Sequence, residues 1–143
     1  MNQELTLSPK YSRILVGVSQ ISLLTAIIIY FYGHPQLVIV PGAVYCSSVL
    51  YWIHPIKNSI RRKIDIGTVA IAFTWQKYII ISQNLHTYQY WIFMGIAVLC
   101  YPLSNYCRRY GEWADTTCHA LIHIFANIAN LGELRSPITP PLK

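Results

Sequence analysis

Apolar residues run through this chain in five long blocks, separated by short polar clusters. The blocks are Ile14 to Tyr32, Leu37 to Ile53, Ile64 to Ser82, Trp91 to Tyr106 and Trp113 to Leu131. Each approaches the ~17–25 residues an α-helix needs to cross the hydrocarbon of a bilayer. Spanning β-strands alternate apolar with polar residues and are about half as long, so near-continuous apolarity predicts helices. The pattern predicts an all-α integral membrane bundle of five transmembrane helices, one domain over residues 1–143. The sequence up to Arg13 reads as a polar lead-in. The first block is longer than a signal-peptide core, and no A-x-A-like cleavage site follows it. Residues 133–143, with "SPITPPLK", are too rich in proline to continue a helix and read as an extended tail.

Composition agrees with this picture. Hydrophobic residues make up 54% of the chain and charged residues 11%, against about a quarter charged in a typical soluble domain. The placement of the charge adds an orientation. Lys10 and Arg13 precede the first block, Lys57, Arg61, Arg62 and Lys63 lie between the second and third, and Arg108 and Arg109 between the fourth and fifth. The other two connections, "GHPQ" and "QNLHTYQ", hold no lysine or arginine. Basic loops stay on the cytoplasmic side, which predicts the N-terminus inside and the C-terminus outside. The net charge of +6 is accounted for by these loops, and no basic stripe offers itself to nucleic acid.

With that topology, several ionisable residues share a depth. His54 closes the second block at its inner end, and Asp65 opens the third from the same side. In "CHALIH", His119 and His123 stand one helical turn apart on one face, roughly 9–15 Å along the fifth helix from Trp113 at about 1.5 Å per residue. Ionisable residues inside a membrane are costly, face the bundle interior and are functional candidates by default. The structural alternative is that His119 and His123 donate hydrogen bonds between helices, as Asn127 and Asn130 further along the same helix suggest. Asp65 alone also suits a helix start, where the dipole favours a carboxylate. Asp115 reads as a first-turn carboxylate able to orient His119. Lys77 reads as a snorkelling side chain. Cys46, Cys100, Cys107 and Cys118 have no C-x-x-C spacing and predict no disulfide framework. His34 and His86 fall in outer connections and receive no role.

A histidine ending the second helix, an aspartate beginning the third and an H-x-x-x-H pair on the last resemble the signature of the CREST superfamily of membrane hydrolases. That group includes alkaline ceramidases, progestin and adipoQ receptors and hemolysin III-like proteins. "HPIKNSIRRKID" is similar to the ceramidase spacing, and "CHALIH" resembles the S-H-x-x-x-H of the receptor branch with Cys118 in place of serine. The resemblance implies His54, His119 and His123 as ligands of Zn2+, with Asp65 contacting a zinc-bound water. Family members generally have seven spans, whereas this chain has room for five. Leu50 stands where the family has a serine, and Ser47 and Tyr51 are the hydroxyls nearest that face.

Three imidazoles would leave tetrahedral zinc one open position for water, whose pKa falls to about 7 on the metal. The expected activity is thus zinc-dependent hydrolysis of a lipid amide, ceramide-like, by an integral, multi-pass membrane protein whose partner is a membrane lipid. The competing expectation is a non-enzymatic small membrane subunit, whose polar residues meet membrane-protein partners or whose segment "KNSIRRK" meets lipid headgroups.

Overall fold

The computed structural model describes residues 4–83 and 88–135. Five α-helices follow one another: α1 (Pro9–Phe31), α2 (Pro35–Trp52), α3 (Ile60–Ser82), α4 (Tyr88–Cys107) and α5 (Glu112–Gly132). Single 3-10 turns, Arg108–Tyr110 and Glu133–Arg135, precede and follow α5. The described residues are all-α, as expected. Two of the five helices, α1 and α3, are long and apolar enough to cross a membrane by length and composition.

A proline at the first position of α1 and a serine cap on α3, rather than apolarity, set the starts of these two helices. Ser8 is extended and Pro9 takes the first helical position, where a fixed φ favours the helix and a missing N–H costs nothing. Residues 9–13 are therefore helical, and the polar lead-in ends at Ser8 instead of Arg13. Ser59 caps α3 by accepting a hydrogen bond from the Arg62 backbone N–H at 3.2 Å. Arg61, Arg62 and Lys63 thus occupy the first turn of α3 instead of a loop. Between the turn after α4 and the start of α5, Gly111 takes φ 118°, a conformation L side chains rarely adopt. The tail expected from residue 133 begins with the turn Glu133–Arg135, and its remainder lies outside the described residues.

The helices pack in the spatial order α3–α2–α1–α5–α4. The central helix, α1, buries Ser12, Leu15, Ser19, Ser22, Ala26 and Ile29. The alternating spacing of three and four puts these residues on one face, and the small serines and alanine among them let neighbouring helices approach closely. Polarity is inverted relative to a water-soluble bundle. Ser22, Gln76, Asn127 and Asn130 are buried, while Phe31, Ile71 and Leu99 are 78, 73 and 69% exposed.

One end of the bundle is laced by the residues before α1. Thr6 N–H donates to the Pro55 carbonyl at 2.7 Å and Lys57 N–H to that of Glu4 at 2.9 Å, joining this segment to the α2–α3 turn. Ser8 donates from its backbone N–H (2.9 Å) and its hydroxyl (2.6 Å) to the Glu112 carboxylate at the start of α5. At the opposite end, Gln76 Nε2 donates to Asn130 Oδ1 and ties α3 to α5. An apolar cluster of Ile79, Ile80, Tyr90, Met94 and Ala129 fills the space beside it.

Candidate functional site

Because α3 and α4 stand at the two ends of the arc, a cavity of about 370 Å³ remains between them, backed by α2 and α5. That volume lies in the range of small-molecule sites. Its walls are mainly apolar: Val40, Val44, Val69, Phe73, Met94, Ala97 and Ile122 contribute. Polar side chains occur at two levels. Nearer the basic end stand Arg62, Asp65, Tyr51, Trp52, Arg108 and His119. Deeper along the helices stand Ser22, Gln76, Asn127 and Asn130, with His123 between the levels.

Asp65 is buried, and Ser47 Oγ and Ser48 Oγ donate to its Oδ1 at 2.8 and 2.9 Å. The two serines are consecutive on α2, so one carboxylate oxygen joins α2 to α3. Oδ2 has no hydrogen bond among the described residues. The expectation singled out Ser47, which does bond Asp65. Ser48 does so as well and, unlike Ser47, lines the cavity; nothing in the sequence distinguished it. Tyr51 also lines the cavity, but its hydroxyl is engaged by Thr6 at 2.8 Å.

His119 and His123 share the cavity wall, with ring centroids 5.7 Å apart. The edge of Trp52 packs against His119 at 4.9 Å between centroids. His54 lies elsewhere. Helix α2 ends at Trp52, and His54 is exposed on the following turn and does not line the cavity. The physical cause is Pro55, whose ring disfavours helical backbone at the preceding residue. Two turns after Ser47, His54 would have shared that serine's inward face had the helix continued. Among the described residues, no three His, Cys, Asp or Glu side chains are grouped to hold a metal ion. The set His54, His119 and His123 expected for Zn2+ is thus not gathered into one cluster among the described residues.

Arg108 is a cavity residue that the sequence reading treated only as loop charge. Its Nε lies 2.7 Å from Asp115 Oδ2, while Ser104 Oγ donates to Oδ1. Asp115 is thus occupied by Arg108 and Ser104, and braces the guanidinium rather than His119. The two terminal amino groups of Arg108 make no hydrogen bond among the described residues and remain for a ligand. Lys77, expected to snorkel, is half-buried with its ammonium 4.0 Å from the centre of the Phe73 ring. That cation–π contact offsets part of its desolvation. Cys107 and Cys118 are free thiols with sulfurs 3.2 Å apart. His34 is buried at the start of α2, and His86 lies outside the described residues.

Compared with known proteins, the chain matches no family model, no curated protein and no solved structure.

Proposed function

We propose that this protein is a multi-pass membrane bundle that takes an amphipathic lipid into the cavity between α3 and α4. The observation that carries this reading is the cavity's division into apolar walls and a polar end rich in donors. Trp52 Nε1 is buried without a hydrogen-bond partner among the described residues, and the Arg108 amino groups and the imidazoles of His119 and His123 stand beside it. A carboxylate, or the carbonyl of an ester or amide, supplies the acceptor these groups lack. The apolar exterior supports immersion in lipid, and the basic residues at the starts of α1 and α3 and in the turn before α5 support an inside N-terminus. The same exterior would suit an accessory chain of a larger membrane assembly, but a subunit interface gives no reason for an internal cavity.

A second reading is hydrolysis of a ceramide-like lipid amide bound in that cavity. It is favoured by Asp65, a buried carboxylate oriented by two serines and with Oδ2 free to take a proton from water. The test is native mass spectrometry of protein purified in mild detergent, followed by lipid extraction. A co-purified lipid, lost when Ala97→Trp fills the cavity, is the expected result. A cavity that holds no lipid in the intact protein removes the proposal. Turnover of a fluorescent ceramide by wild type but not by Asp65→Asn separates hydrolysis from binding alone.

A further inference from the structure

The deep level of the cavity has a polarity opposite to that of the end just described. Asn127 Nδ2 donates to the His123 backbone carbonyl at 2.7 Å and to Ser22 Oγ at 2.9 Å. The backbone carbonyl can only accept, so it fixes which end of the Asn127 amide is nitrogen. Oδ1 must then act as an acceptor, and it is buried without a donor among the described residues. On the facing helix, Gln76 gives its Nε2 to Asn130, and its Oε1 is likewise buried and unpartnered. Both side chains are at least nine-tenths buried and line the cavity. Tyr90 and Thr116 also keep unpartnered hydroxyls, but neither lines the cavity, so they have no part in it.

Two buried carbonyl oxygens, on α3 and α5 side chains that line the cavity, thus have nothing to accept from. Buried acceptors of this kind are satisfied by a ligand or by ordered water. We infer that the cavity's ligand carries an uncharged hydrogen-bond donor, a hydroxyl, on the far part of its apolar chain, received by Asn127 and Gln76. The inference rests on the proposed lipid site and adds a specificity to it. Asp65 and Gln76 are eleven residues apart on α3, which places the two polar levels about 16 Å apart at 1.5 Å per residue. The ligand class is therefore a hydroxylated lipid with an acceptor at one end and a hydroxyl remote from it, of which an ω-hydroxy fatty acid is the simplest example.

The test is displacement of a fluorescent fatty acid from the full-length protein in detergent, by plain fatty acids and by their ω-hydroxylated counterparts over a range of chain lengths. At the matching length the hydroxylated acid should bind about ten-fold tighter, the worth of one buried hydrogen bond. Asn127→Leu and Gln76→Leu, close in volume to the originals, should bring that ratio towards one while the plain acid still binds. Equal affinity of plain and hydroxylated chains at every length for wild type overturns the inference and leaves the lipid site standing. Failure of the fluorescent acid and both competitor series to bind overturns the lipid site itself.

Discussion

Arg108 and Asp115 hold each other across the corner between α4 and α5, Nε to Oδ2 at 2.7 Å. Ser104 secures the second carboxylate oxygen, so one acidic side chain ties α4, the turn and α5 together. Asp115 is buried whereas the Arg108 side chain is 38% exposed. Asp115→Ala should therefore lower stability in detergent by about 1–3 kcal/mol, less than a wholly buried pair would cost. Thermal unfolding of the variant measures this. Asp115→Asn, which still accepts from Ser104, should be milder.

At Asp65 the two serine hydroxyls converge on a single oxygen. Asp65→Asn keeps an acceptor there and should unfold within about 1 kcal/mol of wild type. Asp65→Leu orphans the Ser48 hydroxyl and leaves that of Ser47 only the Val44 carbonyl, at 3.2 Å, and should cost about 1–3 kcal/mol. Denaturation of the two variants side by side distinguishes these outcomes, and a comparable loss in both would show that the serines do not depend on this carboxylate.

Because His54 is exposed outside the cavity and His123 is buried on its wall, their alanine variants should behave differently. His54→Ala should leave lipid retention and metal content as in wild type, while His123→Ala should change lipid retention. Elemental analysis beside lipid extraction checks both. Stoichiometric zinc in wild type that disappears in His54→Ala would restore the three-histidine site.

The free thiols of Cys107 and Cys118 report on the packing of α4 against α5. A thiol oxidant such as copper phenanthroline should join them within one chain, each thiol giving up one hydrogen. The mass loss should vanish in Cys118→Ser. Absence of the cross-link in folded wild type would contradict this packing.

Immersion in lipid is tested on the outer face. Ile71→Arg places a guanidinium midway along α3 at a position 73% exposed, where a membrane helix pays about 2.5–3.5 kcal/mol. Membrane insertion should fall sharply, whereas in a water-soluble protein the change would raise solubility. Carbonate extraction of membranes expressing the variant reads the outcome.

Helix number and type were legible in the sequence because long apolar runs have few other physical solutions. Their starts were not, because Ser8 and Pro9, or Ser59 with Arg62, begin a helix in polar sequence that hydropathy discounts. Periodicity did place Asp65, His119 and His123 on one interior, and the cavity gathers all three. It misled at His54, where the repeat runs on but the helix, with Pro55 ahead of it, ends two residues short at Trp52. Arg108 was read only as charge, since its turn towards the cavity depends on Asp115 and Ser104, contacts that exist only after folding. The unpartnered carbonyls of Asn127 and Gln76 left no signal at all, because an orphaned atom is defined by what surrounds it.

The arrangement of the helices in an arc bears on traffic into the protein. Both mouths of the bundle are stitched, one by Ser8 and Thr6, the other by Gln76 and Asn130, while the seam between α3 and α4 is not among the packed helix pairs. On the proposed lipid site, a guest would arrive sideways, and one already dissolved among acyl chains would slip through the seam without ever meeting water. Residues flanking that seam, such as Ile66 on α3 and Tyr101 on α4, would then control how fast the guest exchanges, separately from how tightly it is held.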